Sequence, residues 1–394
     1  MKTRRHFLLG ALASGSVAGR ARAAPGRKIL IALVDGFGPE YVERSDMPTL
    51  KRLCAEGAYK VGRSVIPSVT NVNNASLVTA CFPSEHGITT NFWRDRQTGK
   101  SFEMESSEFL LRPTIFERAK KQGLRTALVT AKDKVRTLCA RGADIELSAE
   151  NPGEEYVQKI GKQENMYSPG VNYWTLRAAR QILKHEQVDL MYLSTTDYMM
   201  HTYAPDASPS LEHLHRLDSL LGEIVDDHPK IELYLTADHG MNAKHEAIDV
   251  GRVLEARSVA AQTVPIIRDK HKVHHGDLGG ACYVFLDRQE DLPKAVDVLK
   301  ATPGIEEVFD AQNAARLFHL YPQRIGDMLV LGAKDTAFGE LTQAREPAKV
   351  RSHGSRHEAR VPLVVYGRKV DMRNYEYNLD LTRNLLVDLM GGAA

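Results

Sequence analysis

Residues 28–36 read KILIALVDG. An unbroken apolar run that stops at Asp35-Gly36 describes a strand covered on both faces, and such strands belong to the interior of parallel sheets. The pattern returns in Arg125–Ala131 (RTALVTA) ahead of Lys132, in Val188–Thr195 (VDLMYLST) ahead of Asp197, and in Lys230–Ala237 (KIELYLTA) ahead of Asp238-His239-Gly240. Helical periodicity fills the intervals, at Pro48–Gly57, Pro113–Gly123, Val171–Glu186 and Pro209–Asp227. Strand and helix alternate, which predicts an α/β fold with a mostly parallel sheet flanked by helices. From about residue 244 the pattern changes. HHGDLGGACYVFL reads as a strand, DLPKAVDVLKATPG as a helix, and IEEVFDA and RIGDMLVLGA as further strands. A small α+β insertion over 244–350 is expected, as a cap on a core formed by 24–243 and 351–394. The core resumes at VPLVVYG (361–367) and closes with the helix DLTRNLLVDLM.

The 394 residues are 43% hydrophobic and 26% charged, with net charge +2. That is a soluble composition, and with no Lys/Arg block it gives no reason to expect nucleic acid. The N-terminus, MKTRRHFLLGALASGSVAGRARA, reads as a targeting segment: Arg4-Arg5, a short apolar region, then Ala21-Arg22-Ala23 as a small-x-small cleavage site. The segment 1–23 is therefore expected to be a twin-arginine signal peptide, handled by the twin-arginine export machinery. A periplasmic enzyme beginning near Ala24 follows, with no stable membrane anchor, because the apolar run is too short to span a bilayer. Cys54, Cys81, Cys139 and Cys282 have no C-x-x-C spacing; Cys54 and Cys81, in apolar helical contexts, read as buried free thiols, and an exported protein leaves disulfides open.

Val65–Gly87, VIPSVTNVNNASLVTACFPSEHG, offers a hydroxyl, Thr70, ahead of a helix-like run ASLVTACF. Helix N-termini favour anionic oxygens, so a phosphoryl-type nucleophile suits that position, although Ser68 or Thr70 as a simple cap is the plainer reading. Asp35, Lys132, Asp197 and Asp238 all fall at the C-terminal ends of predicted strands, the edge where open parallel sheets bind ligands. Asp197 and His201 stand four apart in TTDYMMH, on one face if that piece is helical. His239 follows Asp238, and His353 lies in the polar loop RSHGS, with His357 as a competitor read as a surface histidine. Three carboxylates and three imidazoles suit zinc better than manganese or iron. With a threonine they are too many for one tetrahedral ion and about right for two. A two-metal site suits phosphoryl transfer, and coordination activates a threonine hydroxyl. Asn91, in TTNFW, is placed to donate to a phosphoryl oxygen, or is a turn residue.

These residues resemble the alkaline phosphatase superfamily, in its branch with the nucleotide pyrophosphatase/phosphodiesterases. VTNVNNASLVT, TADHGM and the SHG loop carry the likeness. Within the branch, VTAKDK, TTDYMMH, HHGDLGG, YPQRIGD and RSHG followed by VPLVV are similar to the phosphonoacetate hydrolases. The resemblance implies a di-zinc site in which Asp197, His201 and His353 bind one zinc, and Asp35, Thr70, Asp238 and His239 the other. It implies Thr70 as nucleophile, Asn91 as a phosphoryl-oxygen ligand, and Lys132 and Lys134 of AKDK as holders of a substrate carboxylate. On a strand, residues two apart share a face, so both ammonium groups would converge. The implied reaction is hydrolysis of a carbon–phosphorus bond through a phosphothreonine, the leaving carbanion being stabilised at its carboxylate.

An export signal departs from a carbon–phosphorus hydrolase expected in the cytoplasm. It keeps open a periplasmic phosphodiesterase, nucleotide pyrophosphatase or phosphomonoesterase with the same zinc site. A nucleoside pocket would need aromatic faces such as Phe92 and Trp93. A phosphonate-binding protein without catalysis is a further alternative, against which the full ligand set with Thr70 argues. The expected partner is a small phosphonate or phosphate ester; a homodimer stays open.

Overall fold

The computed structural model describes residues 27–268 and 272–390, so the expected signal peptide lies outside the described residues. A seven-stranded sheet runs in the order Ala58–Arg63, Arg360–Tyr366, Ile231–Thr236, Lys28–Leu33, Leu190–Ser194, Thr126–Thr130, Ile145–Ser148. Lys28–Leu33 sits between two parallel neighbours, with Ile31 opposite Tyr192 on one side and Tyr234 on the other. Its residues from Ile29 onward are buried, the physical reason that its sequence shows no alternation. Arg360–Tyr366 is antiparallel to both of its neighbours.

The helices expected between strands are present at Pro48–Glu56, Ile115–Lys120, Gly170–His185 and Ser208–Asp227. The edge strand Ala58–Arg63, AYKVGR, has no readable signature because none of its residues is buried. The helix expected from Ala75 begins at Thr70, so the polar run TNVNN is its buried first turns rather than a loop. HHGDLGGACYVFL is not one strand: a short helix, Lys272–His275, precedes Ala281–Leu286. Gly276, at φ 61°, supplies the turn between them.

A four-stranded antiparallel sheet, Ala261–Pro265, Ala281–Leu286, Met328–Gly332, Ile305–Asp310, lies within the segment expected as an insertion. Along Ala281–Leu286 the faces alternate. Ala281, Tyr283 and Phe285 join the main core, while Cys282, Val284 and Leu286 pack with Leu254, Ala295 and Leu299 in a second one. This sheet is thus fused to the core through one apolar face. A third sheet pairs Asn242–Ile248 with Arg345–Ser352, in a register that sets Asn242 opposite Ser352. It draws the chain just after His239 up to the chain just before His353. The cysteines are free thiols, three buried and Cys54 half-buried.

Among the described residues, no helix is long and apolar enough to cross a membrane.

Candidate functional site

The C-terminal edge of the large sheet gathers the acidic residues. Asp35 follows Lys28–Leu33, Asp197 follows Leu190–Ser194, and Asp238 follows Ile231–Thr236. Backbone donors fix their turns: Asp35 N–H donates to Thr195 Oγ1 at 2.9 Å, and Gly36 and His239 N–H donate to Asp238 Oδ1 at 3.2 and 3.0 Å. The last pair shows how adjacent Asp238 and His239 both face the site, since the strand has ended and the chain turns. His201 sits one helical turn beyond Asp197, on the short helix Tyr198–Thr202, with Nε2 3.0 Å from Asp197 Oδ2. His353 Nε2 lies 3.7 Å from the same oxygen, and His239 Nε2 lies 3.4 Å from Asp35 Oδ1 and 3.5 Å from Asp238 Oδ2. The His239 and His353 rings stack at 3.4 Å.

Two triads of donor atoms result, each within 4.8 Å of one another: Asp35, Asp238 and His239, and Asp197, His239 and His353. The chemistry of the three imidazoles fits metal binding. His201 Nδ1 lies 2.6 Å from Arg351 O, His239 Nδ1 2.9 Å from Gly240 O, and His353 Nδ1 2.8 Å from Ser68 O. A carbonyl only accepts, so each Nδ1 carries the hydrogen, and Nε2 is the ring atom each histidine turns toward the carboxylates. Among the described residues, Asp35 Oδ1, Asp238 Oδ2 and His239 Nε2 are buried without a hydrogen-bond partner. Buried polar atoms of this kind call for a ligand. Burial, then the carboxylates of Asp197 and Asp238, push the Asp35 carboxyl well above its usual range. Burial also raises Asp238 to about 6. Burial and neighbouring histidines hold His353 well below its usual value, and burial lowers His239. Crowded carboxylates beside neutral imidazoles form an electrostatic sink for divalent cations.

Thr70 is the first residue of the helix Thr70–Thr79 and is buried; no side chain caps that N-terminus. The preceding turn is stitched to the His353 loop: Ser68 Oγ donates to Ser355 O at 2.7 Å, and Gly354 N–H donates to Ser68 Oγ at 3.2 Å. Thr70 and His353 therefore belong to one hydrogen-bonded unit. Asn91 Oδ1 accepts from Asn71 N–H at 3.4 Å, which leaves the amide nitrogen as the outward donor. Met104 N–H donates to Asn91 O at 2.8 Å and its carbonyl accepts from Asn71 Nδ2 at 2.8 Å.

Lys132 and Lys134 are both buried. They do not share a strand face: the strand ends at Thr130, Lys132 stands just ahead of the helix Asp133–Cys139, and Lys134 lies in its first turn. Lys132 Nζ stands 2.7 Å from Asp35 Oδ2 and 2.7 Å from Asp197 Oδ1. Burial opposes its charge, but the two carboxylates outweigh that and raise its pKa. His357 stays outside the cluster and pairs with Glu306 at 2.5 Å. Sequence reasoning read Ser68 only as a possible helix cap and gave Thr195, Asn71 and Arg351 no role, yet all four orient site residues through backbone groups. Contacts between segments so distant along the chain leave no local signal.

A mostly parallel α/β sheet with an Asp/His cluster and an uncapped threonine helix at its C-terminal edge defines an alkaline phosphatase-like fold bearing a metal-type site. Residues 29–356 match the type I phosphodiesterase / nucleotide pyrophosphatase family, and the chain belongs to that family of hydrolases. The phosphonoacetate hydrolase of Sinorhizobium meliloti 1021, solved in complexes with phosphonoacetate and with phosphonoformate, is 30% identical with a TM-score of 0.84. That superposition covers 92% of this chain and 96% of the other. Murine ectonucleotide pyrophosphatase / phosphodiesterase 5, at 17% identity and a TM-score of 0.69 over 93% of this chain and 96% of its own, shares the fold. The human ectonucleotide pyrophosphatase/phosphodiesterase family member 1 is 29% identical over 230 residues, 54% of this chain and 23% of that protein. The venom phosphodiesterase of Naja atra is 24% identical over 229 residues, 55% of this chain and 26% of its own. The match thus spans about a quarter of the length of these two curated relatives.

Proposed function

We propose that this protein is a di-zinc hydrolase that cleaves the carbon–phosphorus bond of phosphonoacetate, giving acetate and phosphate through a phosphothreonine at Thr70. The observation that carries the reading is Lys132: a buried ammonium held 2.7 Å from carboxylates of both acidic clusters. Phosphonoacetate carries a carboxylate one carbon from its phosphonate, and lysines are natural partners for it. The likeness to a phosphonoacetate hydrolase over nearly the whole described chain supports the same substrate.

When bound, the zinc ions supply Lewis-acid polarisation and charge neutralisation, one held by Asp197, His201 and His353 and the other by Asp35, Thr70, Asp238 and His239. Thr70, as its alkoxide, attacks phosphorus from the helix N-terminus, where the helix dipole favours the phosphonate oxygens. Asn91 donates its amide hydrogen to a phosphoryl oxygen as charge develops. The P–C electron pair moves to carbon, Lys132 and Lys134 stabilise the carboxylate over which it spreads, and protonation yields acetate. Water then cleaves the phosphothreonine and restores Thr70.

Two packing features favour a small substrate over a nucleotide. Phe92 is covered by the Arg268 guanidinium, 4.6 Å from its centroid, and Trp93 stacks on Phe102 at 5.4 Å. One face of each ring is thus already engaged. The test is phosphate release by zinc-loaded protein offered phosphonoacetate, p-nitrophenyl phosphate, bis-p-nitrophenyl phosphate and a nucleoside triphosphate side by side. Preference for phosphonoacetate, lost on Lys132→Ala, is expected. Preference for diester or nucleotide, indifferent to Lys132, would make the protein a phosphodiesterase with the same site. We also propose export by the twin-arginine route, for which the N-terminus of protein recovered from the periplasm should be Ala24.

A further inference from the structure

Arg324 comes from YPQRIGD, a motif that the chemistry above does not use. It lies at the end of the turn Pro322–Arg324, between the four-stranded sheet and the core. Its Nη1 donates to Gly87 O at 2.9 Å and to Phe109 O at 2.7 Å. Its guanidinium lies 5.6 Å from the Trp93 ring, 5.7 Å from Phe109 and 5.7 Å from Tyr321. Among the described residues it has no carboxylate partner, and burial lowers its pKa. A half-buried cation balanced only by carbonyls and ring faces is costly to maintain as simple packing. What it holds is the segment that bears Asn91.

The grip is multiple. Arg324 O accepts from Thr89 Oγ1 at 2.6 Å, while Thr89 O accepts from the buried Tyr283 hydroxyl at 3.1 Å. Both sides of Thr89, two residues before Asn91, are thus fixed by the four-stranded sheet and its connections. The Phe109 carbonyl, at the far end of the same excursion, is tied to Gly87 through one nitrogen. A side chain added at Gly87 would meet that nitrogen at 2.7 Å.

We propose that Arg324 is a positioning residue for catalysis: it clamps Gly87, Thr89 and Phe109 so that the Asn91 amide is set against the phosphoryl oxygen. This rests on the reading of Asn91 as a phosphoryl-oxygen donor. A misplacement of about 1 Å costs on the order of 100-fold in rate, so Arg324→Ala should lower kcat by about that factor with little change in KM.

The experiment compares Arg324→Ala, Asn91→Ala and the double variant, each zinc-loaded, on phosphonoacetate and p-nitrophenyl phosphate, with metal content measured alongside. The expected result is a double variant no slower than Asn91→Ala alone, because a clamp has no effect once the group it positions is gone. Bound metal should match the parent protein. Losses that multiply in the double variant would overturn the positioning role alone. An Asn91→Ala variant with parental kcat would overturn both this role and the function assigned to Asn91. Should Arg324→Ala not fold, Thr89→Val removes the 2.6 Å bond alone and should show a smaller loss, again absent in the Asn91→Ala background. Multiplying losses there overturn the proposal equally.

Discussion

Replacing Lys244 with methionine is expected to unfasten the site from beneath. Lys244 and Glu358 are buried, and their charges meet at 2.9 Å. Glu358 also accepts from Asn242 Nδ2 at 2.7 Å, Ser355 N–H at 3.0 Å and Ser355 Oγ at 2.7 Å, while its own carbonyl accepts from Gly240 N–H at 2.6 Å. One residue therefore joins the chain beside His239 to the chain beside His353, and Ser355 joins both to Ser68, two residues before Thr70. Lys244→Met keeps the apolar stem and leaves the carboxylate buried without its cation. Breaking a buried pair in this way costs about 3–5 kcal/mol. At roughly 2–3 °C per kcal/mol for a large domain, Tm should fall by about 10 °C. Lys244→Met/Glu358→Gln, which removes both charges, should recover a substantial part.

The pH dependence has a definite sign. Burial alone would raise the Glu358 carboxyl, but Lys244 and the hydrogen bonds lower it below its ordinary value of 4.5. Its contribution to stability is present above that value and is lost as pH falls through the depressed folded one. In Lys244→Met the carboxyl is raised instead, so the gap to the parent protein should widen from acid to neutral pH. Thermal melts across that range, with zinc titrated in parallel, measure both. A variant within about 1 kcal/mol of the parent at pH 7, where the lost pair should cost most, would refute the reasoning.

Thr70→Ala should abolish turnover while retaining bound metal, because Asp35, Asp238 and His239 remain; turnover at the parental rate would refute the threonine mechanism. Gly354→Ala should destabilise by about 1–3 kcal/mol and weaken metal binding, as measured by melts and metal analysis. Gly354 has φ +121°, and a Cβ there would meet Ile266 Cγ2 at 2.8 Å and Gly280 N at 3.0 Å, beside His353. Treatment with a chelator should lower Tm, and zinc at about 100 times its dissociation constant should return about 2.7 kcal/mol; an unchanged Tm would argue against a resident cation.

The amino-acid sequence by itself determined the strands buried on both faces, because an element with no solvent-facing side must be apolar throughout. It determined the polar tips as well: Asp35, Lys132, Asp197 and Asp238 each end such a run, and a parallel sheet sends those ends to one edge. The half-exposed strand Ala58–Arg63 and the start of the helix at Thr70 were not legible, since their side chains obey tertiary neighbours rather than a period. Only the folded chain decided that Lys132 bridges two carboxylates instead of lying on a strand with Lys134. Only the fold, too, gave three histidines their Nδ1 carbonyls, and brought Arg324 across to grip Gly87 and Phe109. Periodicity records which side of an element faces the core. Hydrogen bonds between segments hundreds of residues apart leave no period, so the orientation of a site is written only in three dimensions.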